Sequence, residues 1–424
     1  MSQEAFDATD LSSLSSNLDP AAVIAERILV GNIAEREWGG ARRPVLLTGG
    51  MKYLELWGRD SAAAMPALPA VHRQVWRNTL EAFLDHQRPD GLFPRRIAGF
   101  GNAARNLRSI VTHHGISLPV SLSLAPEYRT AGYAGRFRFL KWLAQGIFIG
   151  SAGEPKDTNP LLLLSLAEYA RHDPDFLARY ESAVRRGLAY LEMHTRDGLV
   201  WQNDHEDWLD VYGRKGQVLY TNVLYFASLG ALAKAFRRRD RRTAAELLRK
   251  AREVRERLQG LWDAGRGHFI SHRDEQGEHR QFATEGNMLA ILLGVADARQ
   301  RGAILDHLET IAGEHGYVPI VTPSYPAHMQ SGLRRLFVWK YRDGRLLKPW
   351  LQVLAAKAAA RERPELAARL LAQVARIFVE HGCCEVLNGA TGKPHEFFLT
   401  RTEKHFTAAA GLYLEAAAAL ASRG

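Results

Sequence analysis

Cysteine is almost missing from this chain: 424 residues carry two, and these are neighbours, Cys383-Cys384. Adjacent cysteines would form a strained bridge, and two thiols without a second pair do not make a zinc site. A disulfide framework and a structural zinc are therefore not expected, and a reducing, cytoplasmic compartment is. Long hydrophobic runs are missing as well. A bilayer span needs about 18 apolar residues, and the longest candidate, Leu161–Leu166, is far shorter. The start lacks the basic and apolar blocks of a secretory signal. Its Ser12-Ser13-Leu14-Ser15-Ser16 run suggests a flexible segment over 1–18. No Ser/Pro/Gly-rich linker interrupts the interior, so residues 19–424 read as a single domain. There is no P-loop, no Gly-x-Gly-x-x-Gly after a strand and no His-Glu-x-x-His. No cofactor and no metal are expected.

The charge balance is basic, 56 Lys and Arg against 46 Asp and Glu. The densest cluster, Arg237-Arg238-Arg239-Asp240-Arg241-Arg242 and onward to Arg257, interleaves Glu246, Glu253 and Glu256 at helical spacing. That pattern is a solvated helix face. Nucleic-acid binding would call for a reading element or stacking aromatics beside the basic residues, and none is there. The expected partner is a small carbohydrate, without nucleic acid or membrane; a homo-oligomer is left open.

What the chain does have is a repeated unit. A helix ends, a glycine turn follows, and a short apolar segment comes next: Asp90-Gly91-Leu92-Phe93, Asp197-Gly198-Leu199-Val200, Arg266-Gly267-His268-Phe269, His315-Gly316-Tyr317-Val318 and His381-Gly382-Cys383-Cys384. Glycine allows the left-handed turn that closes a helix. Apolar helices (159–170, 221–236, 287–293, 346–360, and alanine-rich 405–420) alternate with amphipathic or charged ones (71–84, 174–193, 242–262, 300–312, 364–379). Another helix is expected over 20–33, with Asp19 as N-cap and Pro20 at its first position. A helix apolar all round is buried and an amphipathic one covers it. The predicted fold is therefore all-α, an (α/α)6 toroid of six helical hairpins, with short β hairpins in the loops. Strand signal is confined to 44–47 and 268–272, the latter with a turn near Glu275-Gln276-Gly277.

Such a toroid gathers its site at the starts of the inner helices. Four carboxylates, Asp204, Glu206, Asp207 and Asp210, surround Trp208 at one of these. Aromatic rings beside carboxylates hold sugars and raise the pKa of an acid that must protonate a leaving oxygen. The other starts carry Trp57-Gly58-Arg59-Asp60-Ser61, Lys156-Asp157-Thr158-Asn159, Thr284-Glu285-Gly286-Asn287, Tyr341-Arg342-Asp343-Gly344 ahead of Pro349-Trp350, and Glu385 upstream of Lys404-His405-Phe406. Capping explains any one of these groups. Polar and aromatic residues at all six point to a pocket.

These motifs, in this order, resemble the (α/α)6-barrel glycoside hydrolases. The alkaline/neutral invertases and the glucosidase domain of glycogen debranching enzymes are the most alike, with the processing α-glucosidase and glucosylglycerate hydrolase family a further relative. The resemblance implies an inverting glycosidase cleaving a small glycoside, sucrose-like or an α-glucoside. It makes Asp210, in Trp208-Leu209-Asp210, the general acid and Glu385 the general base. Arg59, Asp60 and Asp157 would grip the sugar, and Trp57, Asn159, Asp207, Trp208, Asn287, Asp343, Trp350 and His405 complete the substrate-binding set. Lys215-Gly216-Gln217-Val218 stands where the invertases carry a His-Pro pair, so strict sucrose specificity does not follow. Asp207 as acid, and Glu396 or Glu403 as base, remain in reserve.

Two other readings compete. A sugar 2-epimerase-like toroid would move protons through histidines, drawn from His86, His113, His114, His205, His268, His272 and His405. A non-catalytic glycan-binding toroid would turn nothing over. The stretch 100–136, rich in Gly, His and Arg, reads as a loop or lid; its Arg105, Arg108, His113 and His114 would favour an anionic aglycone such as glycerate.

Overall fold

The computed structural model describes residues 11–51, 53–97, 154–209, 212–329, 346–397 and 400–421, leaving out the side chains of 11–19, 397, 400, 401 and 421. The 100–136 stretch, Asp210 and Asp343 lie outside the described residues. The helices are α1 (Leu11–Gly31), α2 (Gly58–Ala64), α3 (Arg73–Asp85), α4 (Thr158–Tyr169), α5 (Pro174–Arg179), α6 (Glu181–Met193), α7 (Leu219–Phe236), α8 (Arg241–Leu258), α9 (Thr284–Leu292), α10 (Ala298–His315), α11 (Pro349–Ala359), α12 (Pro364–His381) and α13 (Thr407–Ala421). Among the described residues no helix is long and apolar enough to cross a membrane.

The alternation of apolar and amphipathic helices translates into packing. Helix α2 packs on α4, α4 on α7, α7 on α9, α9 on α11, α11 on α13, and α13 returns to α2, closing a circuit of six. At this last contact Gly411 lies so close to α2 that a Cβ there would stand 2.8 Å from the Ala64 Cα. The amphipathic helices back this circuit: α3 and α6 on α4, α8 on α7, α12 on α11, and α1 on α12 and α13. In α8 the buried residues are Ala244, Leu247, Ala251, Val254 and Leu258, a single stripe at helical spacing, with the arginines outside it.

All five glycine turns of the repeat adopt positive φ. At Gly91 (φ 95°) a side chain is excluded twice over, because a Cβ would lie 2.0 Å from the Arg186 carbonyl oxygen. In four of the five units the apolar segment after the glycine is clamped by an amide side chain from the next inner helix. Asn159 accepts from Phe93 N–H (2.8 Å) and donates to the carbonyls of Gly91 and Gly187. Asn222 accepts from Val200 N–H (2.6 Å) and donates to Val200 and Val218. Asn287 accepts from Phe269 N–H (3.0 Å) and donates to Phe269 and Ala283. Gln352 accepts from Val318 N–H and donates to Val318 O. These clamps satisfy main-chain groups that the two-residue strands leave unpaired.

Three expectations are corrected. Helix α1 begins at Leu11, with Pro20 inside it rather than at its first position. Ala21, Ala25 and Leu29 of this helix are fully buried. A full hairpin, Ile33–Trp38 against Ala41–Leu46, replaces the lone strand at 44–47. Its Gly39-Gly40 turn takes positive φ at both residues, the geometry of a two-residue hairpin loop. The charged segment 174–193 breaks into α5 and α6.

Candidate active site

The chemistry gathers where the inner helices begin. Arg59, in the first turn of α2, holds both carboxylate oxygens of Asp157, just before α4, at 2.7 and 3.3 Å. Burial disfavours the guanidinium charge, but Asp157 more than offsets this and raises the pKa of Arg59. Asp157 is fully buried and spends both oxygens on this pair. Its role is to fix Arg59, and Arg59 is the member of the pair left partly exposed. The neighbouring Asp60 behaves differently: burial and the like charge of Glu385, countered by Arg59 and Lys348, push its carboxyl up to about 7.

Glu385 is held at both oxygens. The Tyr53 hydroxyl donates to Oε2 at 3.0 Å, and the Lys348 ammonium stands 3.5 Å from Oε1. Tyr53 packs edge-on against Trp57, and the Lys348 ammonium lies 5.6 Å from the centre of the Trp208 ring. Trp208 in turn meets Trp350 edge-on at 4.9 Å. The residues expected at the first, third, fifth and sixth helix starts thus form one aromatic-walled cluster around a carboxylate. The indole N–H groups of Trp57 and Trp208 are buried without a hydrogen-bond partner among the described residues. Buried donors without partners are costly, and a sugar hydroxyl is a group that could accept from them.

The acidic loop is a clamp rather than a row of free acids. Arg214, about 1% exposed, bridges Asp207 Oδ1 at 2.8 Å and Glu285 Oε1 at 2.5 Å. Asp207 also accepts from Gln202 Nε2 and Leu209 N–H. Burial alone would raise its pKa, but the Arg214 charge and these bonds hold it below the ordinary value. Asp207, expected as a sugar contact and reserve acid, is buried and anchors the loop through these bonds. Glu206 caps Asn203 N–H at 2.7 Å, and His205 takes a left-handed backbone, φ 66°. Such strain is sustained only where the surroundings over-determine it.

Other expected site residues are placed elsewhere. The side chains of Asn159 and Asn287, expected as substrate contacts, are fully buried and bonded in the clamps described above. The His405 side chain is exposed, and its backbone N–H donates to Glu403. Glu403 is fully buried and accepts from Met51, Tyr53 and His405 N–H, tying the loop at 51–53 to the segment before α13. Glu396 is exposed, 3.9 Å from Lys404. Of the histidines proposed for proton transfer, His86 and His268 bond to main-chain carbonyls and His272 stacks on His279. Tyr53, Lys348, Arg214 and Glu285 stand in or beside this cluster without having been expected as site residues. Their only sequence signal was proximity to a helix start.

Comparison with known proteins bears on this geometry. The family model described as the mannosylglycerate hydrolase MGH1-like glycoside hydrolase domain matches residues 196–407, half of the chain. Among solved structures, the chain resembles a GH63 mannosylglycerate hydrolase from Thermus thermophilus in complex with Tris, at 15% identity and TM-score 0.60, covering 93% of this chain and 99% of that one. It also resembles a rhamnosidase from Klebsiella oxytoca with rhamnose bound, at 15% identity and TM-score 0.59, covering 96% of this chain and 64% of that one. A GH78 rhamnosidase of a Bacillus species follows at 16% identity and TM-score 0.56, with 94% of this chain spanning 34% of that one. No curated protein matches by sequence. By its family match this chain belongs to the mannosylglycerate hydrolase MGH1-like glycoside hydrolases, and the protein is a glycosidase.

Proposed function

We propose that the protein is an inverting hydrolase of a small glycoside, built as an (α/α)6 toroid over residues 19–424. Glu385 activates water as general base and Asp210 protonates the leaving oxygen as general acid. Inversion places two such carboxyls roughly 6.5–9.5 Å apart, with the water between one of them and the sugar. The observation that carries the reading is the Glu385 carboxylate, gripped by Tyr53 and Lys348 in a cluster walled by Trp57, Trp208 and Trp350. Arg59 and Asp60 offer a cation and a protonatable acid to sugar hydroxyls. The closed circuit of six helices supports the toroid. Asp207, Trp208 and Leu209, fixed by Arg214, lead directly into Asp210. The substrate set runs from sucrose-like and α-glucosidic compounds, as the motifs resembling invertases and debranching enzymes suggest, to a glycoside of glycerate, as the family description suggests.

The test is a panel of mannosylglycerate, glucosylglycerate, sucrose and α-linked glucose disaccharides, followed by NMR of the first-formed anomer. Hydrolysis with inversion is expected, and Asp210→Asn and Glu385→Gln should each lose about 1,000-fold or more in kcat while keeping the wild-type melting profile. Retained configuration, or normal turnover in either variant, refutes the corresponding part of the assignment.

A further inference from the structure

Lys348 precedes the first turn of α11 and is 6% exposed. A buried ammonium is costly unless an anion pairs with it. The Glu385 carboxylate is 3.5 Å away. Asp60 lies within electrostatic reach of both groups. The ammonium is also drawn to the face of Trp208, which is itself braced by Trp350. Lys348 thus joins the loop that carries Trp208 to the carboxylate that receives a proton from water.

The surroundings of Glu385 define the problem this lysine solves. Facing it are Lys348 ahead of α11, Asp60 on α2, Tyr53 from the loop before residue 56, and Cys384 beside it. Arg59 and Asp157 stand beyond Asp60, and Glu403 and Lys404 act on Cys384 from the segment before α13. A general base must be ionised at the working pH. Asp60, whose carboxyl titrates near 7, is protonated over the acidic range and adds no like charge there. Tyr53 supplies a neutral hydrogen bond. Among the described residues, Lys348 places a cation on the carboxylate.

We propose that Lys348 is a positioning residue that keeps Glu385 ionised and oriented, so that the acid limb of the pH–activity profile is set by residue 348. The inference rests on Glu385 being the base. It predicts a substrate-independent effect and a kinetic one.

The substrate-independent arm is a carbon-13 NMR titration of protein labelled at the glutamate carboxyl carbons, with the Glu385 signal identified by its loss in Glu385→Gln. Lys348→Met should move the Glu385 midpoint up by about one pH unit or more, and Lys348→Arg should restore most of the difference. Lys348→Gln should move it up likewise, which keeps the test open even if the methionine variant folds poorly. The kinetic arm uses whichever of mannosylglycerate, glucosylglycerate and sucrose the wild type hydrolyses. In Lys348→Met the acid limb of kcat should shift by the same amount, with roughly tenfold loss below the limb and recovery above it. A residue needed only for folding would lower kcat equally at every pH. An unchanged Glu385 midpoint in Lys348→Met and Lys348→Gln overturns the proposal, whatever the kinetics. A shifted midpoint combined with an active Glu385→Gln instead removes the assignment of the base and leaves the Lys348–Glu385 coupling standing.

Discussion

Asp60 carries a consequence for stability. Its carboxyl titrates at about 7 in the folded protein against an ordinary 3.8. The folded state therefore binds more protons than the unfolded state between these values, and stability falls as pH rises from about 4 to 7. Asp60→Asn removes this liability. Its melting temperature should exceed that of the wild type by about 2 °C at pH 8, with the gap closing toward pH 4; a pH-independent difference would contradict the placement. Which single residues were legible in the sequence follows from the same chemistry. The Trp57-Gly58-Arg59-Asp60 string stands out because charge beside an indole at a helix start is unusual, and the cluster around Glu385 contains it. Lys348 and Tyr53 gave no such signal, since their importance lies in a shared partner, Glu385, that is distant in the chain, 332 positions from Tyr53. Asn159 and Asn287 show a related limit of sequence: an asparagine in the first turn of a buried helix looks the same whether it faces a sugar or a backbone.

At the level of elements, the amide clamps make the clearest prediction. Asn287→Ala deletes three hydrogen bonds and leaves the Phe269 amide and the carbonyls of Phe269 and Ala283 without their side-chain partner. A loss of about 2–4 kcal/mol in denaturant unfolding is expected, with turnover per folded molecule unchanged. A specific collapse of kcat/KM would return Asn287 to the substrate. The helices themselves were readable, because apolar and amphipathic segments alternate over long stretches. Their edges and the strands were less so. Two-residue pairs such as Leu56–Trp57 with Arg96–Ile97 are too short to show any period. The hairpin after α1 was half seen, since its first strand, Ile-Ala-Glu-Arg-Glu-Trp, is charged and only partly buried. Its Gly39-Gly40 turn was the cue available.

The whole molecule is organised by closure. Each inner helix touches the next, and the last returns to the first, so no arc of the circuit has a core of its own. Calorimetry should therefore record one cooperative unfolding transition for the full chain; two well-separated transitions would mean that the proposed single domain over 19–424 is divided. The repeated helical unit could be anticipated from the five glycine turns and the alternation of apolar and amphipathic helices, whereas the identity of the closing pair could not, because nothing local marks Gly411 as the residue that lets α13 approach Ala64. That seam also bears on synthesis. Helix α2 leaves the ribosome among the first elements and must wait for its neighbour, the final helix, while most of the remaining chain is translated. Glu385 and Lys348 emerge only near the end of that interval. A nascent or truncated chain ending before residue 407 would therefore leave the face of α2 that α13 covers open to water.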